Sequence, residues 1–443
     1  MNKKNILFFL GIIIITSPGF SQQNKNRNKG REQQTHRLFK NRTLTEIDSI
    51  VWGMEDYFSK KKQEDRLQEL QEMAGAFGDK EKVEILDLNK KFHSGARKQQ
   101  GLNPNISLGG DFFIGGSNSD DPLINTSSDK SYGNNGIFLR ELQLGFEAPL
   151  DPFSRGKAFI SMSEKGIDVE EAYIEMLNLP LGLNLRLGIV NPEFGPLNRY
   201  HDHALPQFDR PRALVNYFGN GNFGGPGIAG NFLLPRLLGA DATSLEIAGV
   251  HGSAPDVFAS GSPWNIQGVG HFNSFYDVGK NTFFEFSLNS IVGQNPNSAI
   301  GDKSMLSTVN SLGLVLKWVP AGRAKYRTFD WKSEIFYATY QTTSTLITSK
   351  SFYSSIQNKL NARWWISGRV GMSEPLALDD QYEWDYTLAL DFWQSEFVFL
   401  RLQYQYNNRF LFTAAPESFE IPSDHSLILQ ICWAMGPHKH EAY

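Results

Sequence analysis

The sequence predicts an all-β protein, a transmembrane antiparallel β-barrel of about sixteen strands, preceded by a short helical or coiled-coil segment. Three observations predict this class. Apolar and polar residues alternate with period two from residue 105 to the end; long polar connections alternate with short turns; and an export signal is followed by no apolar run long enough for a membrane helix. Closed sheets cross membranes with strands that have an apolar outer face and a polar inner face.

The composition agrees with a membrane sheet and excludes several other classes. The chain has 443 residues, a net charge of -4, 40% hydrophobic and 13% aromatic residues, and 40 glycines. A mean hydropathy of -0.35 is too polar for a helical membrane protein. The net charge gives no basic surface, so we expect no nucleic-acid partner.

Residues 1–21 have the pattern of a secretory signal peptide. Lys3 and Lys4 provide the charged start, residues 6–15 the apolar core, and residues 19–21 a cleavage site. No cysteine follows directly, which argues against a lipid anchor, and the single Cys432 can form neither an internal disulfide nor a metal-ligand cluster. The signal and the strand pattern together predict export to a bacterial outer membrane.

Two segments separate the signal from the barrel. Residues 22–43 are rich in Gln, Asn, Lys and Arg, which predicts a flexible segment. Residues 44–98 carry apolar side chains such as Leu44, Ile47, Ile50 and Val51 at three- and four-residue steps, which predicts a helical periplasmic segment. This helix could pack under the barrel mouth, or it could form a short coiled coil that holds an oligomer together.

The clearest strand pair is a hairpin followed by a very long loop. In its first strand Glu171, Tyr173 and Glu175 share the polar face, and in its second strand Arg186 lies in a polar row opposite four aliphatic residues. The loop that follows, residues 191–225, is rich in Gly, Pro, Asn and His. Such a loop is long enough to fold back and narrow a barrel.

The connections support one barrel over residues 105–443. Short links at 178–180, 277–280 and 361–362 predict periplasmic turns, and longer links at 117–135, 191–225, 252–264, 294–308 and 407–423 predict outer loops. The alternation holds when residues 164–166 form an unusually tight outer loop. By this count the loop from residue 191 is the third outer loop, and it is the longest.

At this level of detail the sequence resembles the phosphate-selective porin O and P family. The resemblance covers roughly residues 105–443 and the helical segment before them, and it is carried by EEAY at 170–173, LRLGIVNPEFGPLN at 185–198, WQSE at 393–396 and FVFLRLQYQYNNR at 397–409. It implies a sixteen-stranded barrel in outer-membrane lipid, often a homotrimer, with the third outer loop folded inward.

The charges predicted to face inward do not include the lysine cluster that phosphate preference would need, because compensating a polyvalent anion takes several positive charges. They mix both signs: Glu141, Glu171, Glu175, Glu285, Glu334, Asp385 and Asp391, against Arg186, Lys317, Lys332, Arg369 and Arg401. We therefore predict a non-enzymatic porin that lets small hydrophilic or ionic solutes diffuse passively and filters them by size and charge.

The third outer loop carries most of the predicted constriction. The candidate pore-lining residues are Glu171, Tyr173, Glu175 and Arg186 on the wall, and Arg199, His201, Asp202, His203, Asp209, Arg210 and Arg212 in the loop.

His201, Asp202 and His203 leave two interpretations open. Imidazole and carboxylate suit a divalent transition metal, which would make the protein a metal-related channel, although two histidines and one acid form an incomplete set of ligands. Alternatively, these groups tie the loop to the wall. No other cofactor is expected.

A barrel-embedded enzyme is the rival class. It would need paired acids or a Ser–His pair, and no nucleophile motif surrounds His271 or His425. An energised receptor with a plug domain is excluded, because residues 22–104 are too few and too helical.

Overall fold

The computed structural model describes residues 104–118, 135–163, 166–252, 254–260, 262–299, 305–376, 382–408, 410–411, 419–420 and 423–436. The predicted signal peptide, flexible segment and helical segment lie outside these residues. Within the described ranges, no helix is both long enough and apolar enough to cross a membrane.

Sixteen strands form one closed antiparallel barrel, which confirms the predicted fold class. Consecutive strands pair along the chain, and the last closes onto the first, with Cys432 opposite Asp111. The barrel strands are β1 (Asn105–Ser117), β2 (Gly136–Asp151), β3 (Ser154–Ser163), β4 (Gly166–Leu179), β5 (Leu183–Val190), β6 (Gly225–Leu234), β7 (Ala242–Val250), β8 (Gln267–Gly279), β9 (Thr282–Gln294), β10 (Leu306–Trp318), β11 (Phe329–Gln341), β12 (Leu346–Lys359), β13 (Trp364–Ser373), β14 (Glu383–Trp393), β15 (Val398–Asn408) and β18 (Asp424–Met435).

A few further elements lie in the connections. A small hairpin of β16 (Phe410–Leu411) and β17 (Phe419–Glu420) stands between β15 and β18. The third connection at the long-loop end contains the helix α1 (Arg212–Phe218) and a 3-10 turn (Asp202–Ala204). Two other 3-10 turns are Pro180–Gly182 and Pro296–Ala299.

The two faces of the barrel show that it is a membrane protein. Along β14 the buried residues include Asp385 and Asp391, whereas Tyr386, Leu388 and Leu390 alternate with them on the exposed outer face. A water-soluble sheet would bury the leucines and expose the aspartates. A closed sheet with an apolar outside and charged inside suits a bilayer, in which every backbone group must be paired, so the barrel lies in the outer membrane.

The loop pattern predicted from the sequence also holds. Links such as residues 280–281 and 360–363 close one end, and the connection after β5 is the third of those at the other end. The tight link between β3 and β4 is confirmed, since Gly166 begins β4 three positions after Ser163 ends β3. A second tight link at this end, residues 342–345, was not expected from the sequence.

Candidate functional site

The connection between β5 and β6, residues 191–224, lies inside the barrel and is called the third loop below. Its residues are largely buried: Phe194 and Phe208 have no exposed surface, Asp209 is 2% exposed and Arg210 1%. Its groups hydrogen-bond to inward side chains of β2, β4, β12, β13 and β15. Because these strands lie on different sides of the barrel, the third loop crosses the lumen.

The middle of the third loop, residues 205–209, is held by its backbone. The wall donors are Arg140 to the Phe208 carbonyl at 2.7 Å, Gln357 to the Pro206 carbonyl at 3.0 Å, and Arg401 to the Leu205 carbonyl at 3.1 Å. The Phe208 N–H in turn donates to the Gln403 side chain at 2.8 Å. Buried backbone groups outside a sheet need such partners, so the wall replaces the water that would otherwise solvate them.

Asp209 is the main charged anchor of the third loop. Its carboxylate accepts hydrogen bonds from Arg369 at 2.7 Å, Gln403 at 2.8 Å and Gln405 at 3.2 Å, and its backbone carbonyl accepts a second one from Arg369 at 2.6 Å. Arg369 also pairs with Asp385 at 3.0 Å, and all three charged side chains are at most 1% exposed. Asp209, which the sequence predicted to line the pore, therefore faces the wall rather than the open lumen.

The two loop histidines bind glutamates of the opposite part of the wall. His201 Nδ1 lies 2.6 Å from Glu170 and its Nε2 3.5 Å from Glu171, whereas His203 Nδ1 lies 2.7 Å from Glu141. The two imidazole rings are stacked, with centroids 6.0 Å apart and planes 7° apart. The two histidines thus bind the third loop to β4 through Glu170 and Glu171 and to β2 through Glu141.

Two β-bulges place these wall groups in the lumen. Arg140 in β2 and Glu170 in β4 are extra residues without a cross-strand partner, so each faces inward together with its neighbour, Glu141 or Glu171. The register pairs Asp111 with Glu141 and Phe112 with Leu139 at the first bulge, and Phe159 with Glu171 and Ile160 with Val169 at the second. In regular strands, one residue of each pair would face lipid.

Asp202 points away from the histidines and towards arginines. It lies 3.2 Å from Arg140 on the wall and 3.0 Å from Arg210 within the loop. Arg210 also donates to the carbonyls of Leu197 and Tyr200, so it holds the loop against itself.

The first residue of α1 provides a further contact to the wall. Arg212 pairs with Glu383 of β14 at 3.3 Å.

The other part of the third loop packs through apolar contacts. Leu214, Tyr217 and Phe218 of α1 are buried in one cluster with inward residues of the wall, among them Phe336 and Val309. The hydroxyl of Tyr217 hydrogen-bonds to Ser349 and Ser351 at 2.7 and 2.9 Å. Burial of these aromatic and aliphatic groups stabilises the loop inside the barrel.

The most exposed charged groups of the ion pairs lie together on β2 to β9 and the nearby start of the third loop. We call them the accessible wall. Their side-chain exposures are 43% for Arg155, 38% for Glu147, 34% for Glu193, 29% for Arg199, 22% for Glu170 and 15% for Arg186. By contrast, Arg369, Asp385 and Arg401 on the far side are at most 4% exposed.

The predicted wall residues all belong to this region. Glu175 pairs with Arg155 at 2.5 Å, and Arg186 pairs with Glu246 at 2.6 Å while lying 5.8 Å from the ring centroid of Tyr173. Arg199 of the loop lies 3.7 Å from Glu285 of β9, and Glu171 contacts His201.

Several functional candidates were missed by the sequence reasoning. The period-two alternation assigns Arg140 and Glu170 to the outer face, because it does not reveal the bulge that turns each of them inward. Glu246 and His271 could have been found, since each shares the period-two phase of the inward residues of β7 or β8. Glu193 is part of an irregular loop, where no periodicity assigns a side-chain direction.

A metal site at His201, Asp202 and His203 stays a prediction. Within the described ranges, no three His, Cys, Asp or Glu side chains are placed to hold one metal ion. The histidines bind separate glutamates, and Asp202 binds Arg140 and Arg210. These contacts tie the third loop to the wall and to itself.

The charge state of His201 makes the seating of the third loop dependent on pH. Burial lowers the pKa of His201, but the hydrogen bonds and charges of Glu170 and Glu171 outweigh it and raise the pKa from 6.5 to about 10. Because the folded-state pKa is the higher one, this stabilisation is complete below about pH 6.5 and is lost as the pH rises through about 10.

We therefore expect His201→Gln to lower the thermal unfolding midpoint most near pH 6.5, and the difference from the unsubstituted protein to shrink towards pH 10. His251→Gln is the matched control, because that imidazole contacts the neutral carbonyl of Ser262. A difference that stays constant over this pH range would contradict the assigned charge state.

Comparison with known proteins gives no family assignment: no family model matches the chain. A curated relative, an uncharacterized protein of Aquifex aeolicus (strain VF5), is 30% identical over 203 residues, which are 41% of this chain and 43% of the relative. The chain thus matches less than half of that relative's length.

Several solved outer-membrane barrels are similar in structure. The trimer form of OmpT, an outer membrane protein of Vibrio cholerae, has a TM-score of 0.49 at 9% identity, with 75% of this chain and 99% of that chain covered. The anion-selective porin from Comamonas acidovorans has a TM-score of 0.49 at 11% identity, with 75% and 100% covered. Pseudomonas putida OprB has 0.48 at 10%, with 78% and 97% covered. These similarities in structure do not indicate which solutes this protein binds or conducts.

Proposed function

We propose that this protein is an outer-membrane channel through which small hydrophilic or ionic solutes diffuse passively, narrowed by its third loop. Solutes move down their gradient, and no catalytic turnover is involved. One observation carries the proposal: the barrel has an apolar outside, and charged side chains on one part of its inside keep contact with water.

The proposed path runs along the accessible wall. There Arg155, Glu147 and Glu193 are the most exposed of the ion-paired side chains. On the far side, the lumen is occupied by residues 205–209, which are hydrogen-bonded to the wall, and by the apolar cluster around α1. A solute would therefore pass between the third loop and the accessible wall, where charge as well as size restricts entry.

The homotrimeric assembly that the family resemblance implies stays a prediction. Phosphate selectivity is not predicted, because the charges assigned to the inside of the barrel include no lysine cluster. The ion pairs of the accessible wall give phosphate no unpaired cationic cluster, because the arginines there are bound to glutamates.

Conductance in planar bilayers tests the proposed function. Purified, folded protein is expected to give stepwise currents in KCl, and liposomes containing it should swell in small sugars and progressively less in larger ones. Insertion can be verified independently by the protease resistance of the barrel in the same liposomes. Inserted protein that passes neither ions nor sugars would contradict the channel.

A further inference from the structure

The arginines of the accessible wall are matched by carboxylates. The pairs are Arg155 with Glu147 at 3.5 Å and with Glu175 at 2.5 Å, Arg186 with Glu246 at 2.6 Å, and Arg199 with Glu285 at 3.7 Å. Three arginines thus meet four glutamates, so these pairs leave no net positive charge in the path.

Three further glutamates of the same wall have imidazoles as partners. Glu170 and Glu171 share His201, and Glu193 lies 3.3 Å from His271. Even when both histidines and the neighbouring Lys157 are charged, the seven glutamates of these contacts face six cations, an excess of one negative charge. The accessible wall therefore carries a net negative charge.

Glu193 is the acid best placed to act on a passing ion. Its side chain is 34% exposed, although the residue lies at the base of the third loop. Its backbone N–H donates to Glu246 at 2.7 Å, which fixes its position beside β7, and its carboxylate faces His271 of β8.

The carboxylate of Glu193 stays ionised at neutral pH. Burial raises its pKa, but the hydrogen bond and charge of His271, with Arg199 and Arg186 nearby, outweigh this and lower the pKa to about 2. A permanently charged, water-accessible group at a narrow position concentrates ions of the opposite sign.

We infer that Glu193 determines the charge preference of the channel and that this preference favours small monovalent cations over anions. The inference rests on the proposed function. A fixed carboxylate acts most strongly where the lumen is narrow and the walls have a low dielectric constant, because its field is then poorly screened. His271 and the nearby arginines offset it incompletely, since each arginine already binds another glutamate and the carboxylates of this wall outnumber its cations.

The reversal potential of single channels in a KCl gradient tests this inference. The unsubstituted protein is expected to prefer K⁺ over Cl⁻, and Glu193→Gln should lower the permeability ratio by about twofold or more. Glu193→Asp, which keeps the charge, should retain most of the preference. Glu396→Gln is the matched control, because Glu396 is an exposed acid in the turn between β14 and β15.

The possible results separate the two proposals. Conductance with an anion preference, or a permeability ratio that Glu193→Gln leaves unchanged, would overturn this inference while the channel stands. Inserted protein without any conductance would overturn the proposed function and this inference with it. If Glu193→Asp keeps the preference for K⁺ over Cl⁻ and Glu193→Gln loses it, the charge of Glu193 rather than its shape is the cause.

Discussion

Asp209→Ala is expected to unseat the third loop and to raise the single-channel conductance several-fold. The substitution removes the acceptor of Arg369, Gln403 and Gln405 at a position that is only 2% exposed. Removing one partner of a buried ion pair costs about 3–5 kcal/mol. The lower end applies here, because Asp385 still compensates the Arg369 charge.

Limited proteolysis gives a second measurement of the same change. Trypsin should cut after Arg212 in Asp209→Ala and not in the unsubstituted protein, where α1 packs inside the barrel. Asp209→Asn keeps the shape and one acceptor oxygen, so its effect should be intermediate. Asp256→Ala removes an exposed acid elsewhere and serves as the control. Unchanged conductance and unchanged cleavage in Asp209→Ala would refute the anchoring role.

Gly195→Ala is expected to displace the start of the third loop. Gly195 has a φ of +62°, and an added methyl group would overlap the carboxylate of Glu334, which is fully buried in β11. Left-handed backbone strain and overpacking together should destabilise the seated loop by roughly 2–5 kcal/mol. The thermal unfolding midpoint should fall, and the conductance should rise and become less uniform between openings.

Gly221→Ala is the matched control for this substitution. Gly221 lies in the same loop, and a methyl group there would meet no atom within 4 Å. The double variant Gly195→Ala with Glu334→Ala removes the overlap and keeps the backbone strain, so it should recover part of the lost stability. If Gly195→Ala and Gly221→Ala behave alike, the close packing of Gly195 on Glu334 is not what seats the loop.

Both predictions follow from how the third loop is held. Its central segment has no sheet or helix to pair its backbone groups, so wall side chains such as Arg140 and Arg401 supply the donors. Such charged side chains are stable in a buried position only because carboxylates such as Asp111 and Asp391 accompany them. The third loop is therefore held by a network in which one substitution leaves several groups without partners.

The fold could be predicted because its signal repeats in strand after strand. Leu388 and Leu390 alternate with Asp385 and Asp391 as a membrane barrel requires. Because the same alternation recurs over sixteen strands, a local irregularity in one strand does not change the predicted fold. The site could be predicted only in part. Glu171 and Arg186 follow the period of their strands, whereas Arg140 and Glu170 face inward because of bulges that shift the register by one residue.

The sequence by itself determined the barrel, its inside and outside, and which loop is long enough to cross the lumen, because alternation and loop length are local properties of the chain. Only the tertiary structure decided which groups meet. His201 reaches Glu170 across 31 positions, and Asp209 reaches Gln405 across 196. Such contacts depend on where a closed barrel brings the backbone of an irregular loop, and no periodicity along the chain encodes that position.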